Sequence, residues 1–89
     1  MLAGLKKISN YFGVKNQFVI VDEHKIIFQS YETLIAVYYR KSKTVILDDN
    51  AENYSRTTSK YLKRFIEEIA GDCINSKKDY NKYKRENLN

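Results

Sequence analysis

The chain predicts an α+β fold: a four-stranded antiparallel meander, then one amphipathic helix packed on the sheet, with a short helix ahead of the first strand. Three features carry this expectation. Between Gln17 and Leu47, four runs rich in Ile, Val, Phe and Tyr are separated by only three or four polar residues, and β-branched and aromatic side chains suit a pleated, half-buried surface. Gaps this short join antiparallel neighbours, because a parallel pair needs a crossover of about a dozen residues or more. After the polar loop from Asp48 to Asn53, apolar residues recur at helical spacing from Tyr61 to Cys73, which is the mark of a helix with one buried face.

The N-terminal segment, Met1 to Gly13, sets Leu2, Leu5, Ile8 and Phe12 at steps of three and four. That is the period of an amphipathic helix, and so short a one is marginal alone. Its expected role is to cover a sheet face, with Lys6 and Lys7 toward water, in preference to lying on a membrane surface. Gln17-Phe18-Val19-Ile20-Val21 and Lys25-Ile26-Ile27-Phe28-Gln29 then read as a hairpin around Asp22-Glu23-His24. Thr33 to Tyr39 and Thr44 to Leu47 read as a second, around Arg40-Lys41-Ser42-Lys43.

Phe18, Ile20, Ile26, Phe28, Leu34 and Ala36 are assigned to one class of face, but Val19, Val21, Ile27, Ile35, Val37, Val45 and Leu47 are apolar too. Both faces therefore need cover, and a single helix supplies it to one. The N-terminal segment, curling of the sheet or a second copy in a homodimer are the three ways to cover the other.

The helix is expected to begin within Ser55 to Thr58 and to stop at Gly71. Tyr61, Leu62, Phe65, Ile66, Ile69, Ala70 and Cys73 gather on one face, with Lys60, Lys63, Arg64, Glu67 and Glu68 opposite. Lys63 with Glu67 and Arg64 with Glu68 are four-apart pairs with the base nearer the N-terminus, the weaker orientation. Cations at the positive end of a helix also oppose its dipole. A sequence tuned only for helix stability would reverse them.

Eighty-nine residues hold one compact domain with a modest core, and a large internal active-site cavity is not expected. The domain is assigned to residues 1–74, and residues 75–89 to a basic tail, disordered or helical. No apolar run approaches the roughly twenty residues of a bilayer span. The N-terminus also lacks the apolar core of a signal peptide, so the expected location is cytoplasmic, with no membrane partner. The one cysteine, Cys73, forms no internal disulfide and offers no metal-ligand spacing, in keeping with a reducing compartment.

The net charge of +5 is unevenly spread: residues 1–15 sum to +3, residues 16–53 to −2, residues 54–74 to +1 and residues 75–89 to +3. Two segments stand out as binding candidates. In Tyr54-Ser55-Arg56-Thr57-Thr58-Ser59-Lys60-Tyr61-Leu62-Lys63-Arg64-Phe65, hydroxyls and cations crowd the helix start. Free amides of the first turn, the hydroxyls of Ser55, Thr57, Thr58 and Ser59 and the cations Arg56 and Lys60 suit a phosphate or a partner carboxylate, with Lys63 and Arg64 as further binding candidates on the same helix. The bland alternative is that one hydroxyl caps the helix and the charges face water. In the tail, Lys77, Lys78, Lys82, Lys84 and Arg85 interleave with Tyr80 and Tyr83, a composition that suits single-stranded nucleic acid, where phosphates meet cations and bases stack on rings. Tyr38, Tyr39, Arg40, Lys41 and Lys43 form a further candidate patch.

Enzyme chemistry has little footing. His24 lies in a hairpin turn and Cys73 beyond the helix, with no motif joining them as base and nucleophile. Asp48, Asp49 and Glu52 lack the alternating spacing of a calcium loop. No catalytic residue, metal site or cofactor is expected.

Phe28-Gln29-Ser30-Tyr31 with Ile35-Ala36, followed by Tyr54-Ser55-x-Thr57-Thr58-x-Lys60-Tyr61 and Phe65, resembles a small domain that recurs in bacteriophage and prophage proteins of Gram-positive and gut bacteria. The resemblance runs from about Val14 to Glu68. It implies a small phage or mobile-element protein of strands followed by a helix, and it transfers no catalytic residue. Two function classes then follow. The first is a non-enzymatic inhibitor or modulator of a host protein or nucleoprotein, such as an antagonist of CRISPR effectors, acting in the bacterial cytoplasm. The second is a phage nucleic-acid-binding accessory or regulatory protein that uses the basic helix start and tail.

Overall fold

A computed structural model describes residues 7–89. The expected N-terminal helix falls partly on residues 1–6, including Leu2 and Leu5, which lie outside the described residues. Its remainder is corrected: Lys7–Ser9 forms strand β1, antiparallel to β2 (Gln17–Val21), with Ile8 opposite Ile20. Phe12 sits in the connecting turn and is buried, its ring centroid 5.7 Å from that of Phe28 and 5.1 Å from that of Tyr61. Steps of three and four over so few residues fit a short strand and a turn as well as a helix, and pairing with β2 decides the matter.

The meander continues through β3 (Lys25–Ser30), β4 (Thr33–Tyr39) and β5 (Thr44–Asp48), each antiparallel to its predecessor. A sixth strand, β6 (Lys84–Glu86), lies parallel to β5 at the sheet edge. The sheet thus has strand order β1-β2-β3-β4-β5-β6, where the sequence suggested four strands. Helix α1 (Arg56–Phe65) lies between β5 and β6 in the chain, and it supplies the long crossover that a parallel pair requires. The α+β class, and the start of α1 within Ser55 to Thr58, agree with the sequence reading.

The hairpin around Asp22 sets which side chains share a face. Asp22 Oδ1 accepts hydrogen bonds from His24 N at 2.8 Å and Lys25 N at 3.0 Å, a local turn that Asp favours. The resulting register places Val19 opposite Phe28, Val21 opposite Ile26 and Ile20 opposite Ile27. Phe18 and Ile20 therefore do not share a face with Ile26 and Phe28, contrary to the grouping read from the sequence. Periodicity within each strand is a property of that strand, whereas the phase between strands depends on the turn. A bulge in β4 adds a second correction: Phe28 pairs with Ala36 but Gln29 with Leu34, leaving Ile35 as the extra residue. Ile35 and Ala36 are both fully buried in the core as a result.

The core joins Val19, Phe28, Val45 and Leu47 of the sheet to Tyr61, Leu62, Phe65 and Ile66 of the helical segment. Phe28 and Phe65 stack with ring centroids 5.8 Å apart. On the other face Ile27, Val37 and Ile46 are also buried. After Phe65 the helix widens into a π-helical turn (Ile66–Ala70) that ends at Gly71, whose φ of 79° is the left-handed conformation glycine adopts most readily. A 3-10 turn (Lys77–Lys82) buries Tyr80 in the core, and β6 completes the sheet.

Candidate functional site

Ser55, in extended conformation, caps α1 by accepting a hydrogen bond from Thr58 N at 3.1 Å. Its hydroxyl also donates to Thr58 Oγ1 at 3.0 Å, and Thr58 Oγ1 lies 2.9 Å from Ser30 Oγ of β3. Thr58 is only 3% exposed. The hydroxyl cluster that the sequence offered as an anion cradle is thus, at Ser55 and Thr58, a pin holding the helix start against the sheet. Ser59 Oγ is likewise engaged, donating to Glu52 O at 3.1 Å. Thr57 is exposed.

The cations of α1 divide into two sets. Arg64 is engaged by its neighbours on the surface: Nε donates to Glu68 Oε2 at 2.9 Å, and the guanidinium lies 5.1 Å from the centroid of the Phe12 ring and 5.8 Å from that of Tyr61. Tyr11 donates to the same carboxylate at 2.8 Å, and these two hydrogen bonds hold the Glu68 carboxyl below its ordinary range. Arg56, Lys60 and Lys63 stand four and three residues apart, one stripe of the helix, and no ion pair engages them among the described residues. The anticipated Lys63–Glu67 pair does not form, because Glu67 Oε2 accepts from Ile74 N at 3.2 Å.

That stripe borders a cleft of about 260 Å³, with Ile74, Asn75, Ser76, Lys77 and Tyr80 on its other side and Glu52 at one end. The far wall is fixed by Asp79, which accepts from Asn75 N at 2.6 Å and Ser76 N at 3.0 Å. Those bonds hold the Asp79 carboxyl below its usual range. Tyr80, 4% exposed, anchors the wall in the core. Two basic segments that the sequence treated separately, the helix start and the tail, therefore meet at Arg56, Lys60, Lys63 and Lys77.

The rest of the tail does other work. Arg85 grips Glu52 with both arms, Nη1 to Oε1 and Nη2 to Oε2 at 2.6 Å each, and Nη1 also reaches Asp48 O at 3.3 Å. The Arg85 hydrogen bonds keep the Glu52 carboxyl below its ordinary range. Tyr83 donates to Asp72 Oδ2 at 2.7 Å, and burial followed by this bond pushes its hydroxyl up. Lys82 lies over the Tyr83 ring at 5.2 Å and Lys84 pairs with Glu86 at 3.7 Å, while Lys78 is exposed outside the cleft. Tyr80, Tyr83 and Arg85 are thus corrected from surface contacts to structural ones. No local pattern announces this, because Arg85 finds Glu52 across 33 residues.

Of the other candidates, Arg40 Nη1 donates to Asp22 O at 3.2 Å and Tyr38 packs against the core, leaving Tyr39 on the surface. His24 pairs with Glu23 at 3.2 Å on the surface, and Cys73 is exposed. Among the described residues, no three His, Cys, Asp or Glu side chains are grouped to hold a metal ion. No helix there is long and apolar enough to cross a membrane. A polar cleft that the sequence did not suggest, about 510 Å³, lies near Asp48, Tyr54, Asn87 and Asn89.

Fold and cleft together define a small α+β domain with a cationic groove between its helix and its C-terminal segment. The chain belongs to a family of unknown function, DUF8033, whose model matches residues 5–82. No curated protein and no solved structure matches it.

Proposed function

We propose that this chain is a small phage-type, non-enzymatic binding protein that modulates a host protein or nucleoprotein in the bacterial cytoplasm, in the manner of an antagonist of a defence system such as a CRISPR effector. The observation that carries the reading is the convergence of Arg56, Lys60, Lys63 and Lys77 on one cleft. Four cations held near one another repel, and an anionic partner relieves that repulsion. Capture from host lysate, with and without nuclease, tests it. A host protein retained after nuclease treatment supports the reading. Loss of every partner with nuclease overturns it.

The second reading, a nucleic-acid-binding accessory protein, draws on the same stripe of cations together with exposed Lys78. Against it, the tail tyrosines that suited base stacking are engaged elsewhere, Tyr80 in the core and Tyr83 on Asp72. Direct binding by the four cleft cations predicts that log affinity for an arbitrary oligonucleotide falls against log salt with a slope of about −3, given a loss of roughly 0.7–0.9 per phosphate neutralised. A slope near zero argues for the protein partner.

A further inference from the structure

Resting on that reading of the cleft, we infer that its occupant is an acidic segment of a partner protein, with one apolar side chain seated against Ile74 and Tyr80 and carboxylates on the cationic rim. Size is the first argument. At about 260 Å³ the cleft falls below the roughly 300–1,000 Å³ typical of sites that enclose a small-molecule ligand. It accommodates one side chain, with the remainder of the ligand lying across the rim.

The second argument is the division of chemistry within the cleft. Its apolar lining is formed by Ile74 and Tyr80, 3% and 4% exposed. Arg56, Lys60 and Lys63 rise on one wall and Lys77 on the other. The sole acid in the lining, Glu52, is held by both arms of Arg85, whose charge offsets it, so the lining keeps an excess of positive charge. An apolar anchor ringed by charge is the arrangement of a peptide-docking site, in which the buried contact supplies affinity and the rim supplies register and partner choice.

The third argument sets this occupant above nucleic acid. A single strand is held by cations and exposed rings together. The large exposed aromatics among the described residues, Tyr11, Tyr31, Tyr39 and Tyr54, are absent from the cleft lining. The first-turn amides of α1 play no part in the inference, since Ser55 caps that turn. A second copy of a chain carrying +5 is repelled from a cationic rim.

The experiment uses the full chain and a labelled ten-residue peptide with a central Leu between alternating Asp and Glu, read by fluorescence anisotropy. Its comparators are the same peptide with Leu→Ser, the same with Lys at every acidic position, and a ten-nucleotide oligothymidylate. Expected are saturable binding of the acidic Leu peptide, a loss of about tenfold or more with Lys60→Glu plus Lys63→Glu or with Lys77→Glu on the opposite wall, and a several-fold loss on Leu→Ser. Circular dichroism of each variant confirms that it is folded.

The inference is overturned if the oligothymidylate binds more tightly than the acidic peptide, or if both rim variants bind the peptide as well as the parent. A dimer in sedimentation that Lys60→Glu plus Lys63→Glu dissociates would assign the cleft to a second copy and overturn it as well. Should lysate capture yield a nuclease-resistant host protein that the rim variants still bind, this inference falls while the proposed function stands. Nuclease-sensitive capture alone brings down the proposed function itself.

Discussion

Asp48 is 3% exposed, and its carboxylate accepts from Asn50 N at 3.2 Å, Tyr54 Oη at 2.6 Å, Leu88 N at 3.0 Å and Asn89 Nδ2 at 3.2 Å. Burial alone pushes the carboxyl up, but the combined hydrogen bonds outweigh it and leave it below its ordinary range. The same contact pushes the Tyr54 hydroxyl up to about 12. In Asp48→Asn an amide N–H confronts groups that are themselves donors, so a loss of about 2–3 kcal/mol is expected in urea unfolding. The Tyr54 titration should also fall back toward the ordinary value of about 10. Asp48 and Glu52 both sit lower when folded than unfolded, so their stabilisation is complete above the unfolded carboxylate range of about 4 and is lost as pH falls through the lowered values. The urea midpoint should therefore hold through neutral pH and drop in acid, with a shallower drop in Asp48→Asn. An acid limb identical in the two proteins would refute the assignment. Gln17 presents the reverse case: it is 1% exposed, and neither Oε1 nor Nε2 has a partner. Gln17→Met keeps the shape and removes an uncompensated desolvation cost of about 1–3 kcal/mol. A raised unfolding midpoint is expected, and a lowered one would show that the amide is satisfied in solution.

At the scale of elements, legibility in the sequence tracked the range of the interactions involved. Strands β2 to β5 and α1 were readable because each announces itself within a few residues, by β-branched runs, by Asp22 in its turn, or by Tyr61, Leu62, Phe65 and Ile66 at helical period. The phase between β2 and β3 depends on the turn that joins them, the bulge at Ile35 on how β4 pairs with β3, and strand β6 on a partner far away in the chain, so none of the three was readable from periodicity within a strand. The tail is the clearest instance: its composition suggested a solvated segment, but Tyr80 reaches the core and Arg85 reaches Glu52. Arg85→Ala removes a half-buried bidentate pair and should cost about 1–3 kcal/mol, whereas Lys84→Ala, next to it on the exposed face, should stay within about 0.5 kcal/mol. Amide exchange along β5 should quicken in Arg85→Ala alone, because its loosened neighbour β6 no longer covers that edge. Equal effects of the two substitutions would mean that β6 does not depend on the Glu52 contact.

Over the whole molecule, the candidate site was half legible. Arg56, Lys60 and Lys63 were visible as cations at a helix start that opposes them. Their meeting with Lys77, the diversion of Thr58, Tyr83 and Arg85 into the fold and the pairing of Arg64 with Glu68 on the surface required the three-dimensional arrangement. What remains is a group of like charges lining one cleft, Arg56, Lys60 and Lys63 along α1 and Lys77 on the C-terminal segment. Charges kept for solubility gain nothing from such crowding, because scattered cations confer the same net charge without mutual repulsion. Charges kept for binding accept it, and the two explanations then differ in a stability measurement that needs no ligand. Lys60→Glu with Lys63→Glu should raise the urea midpoint at low salt by relieving repulsion among the cleft cations, while abolishing capture of the partner. Added salt should raise the midpoint of the parent and narrow the gap between the two proteins. If the double variant is instead less stable than the parent at low salt, the cleft cations are part of what holds the fold together, and the case for their service to a partner fails.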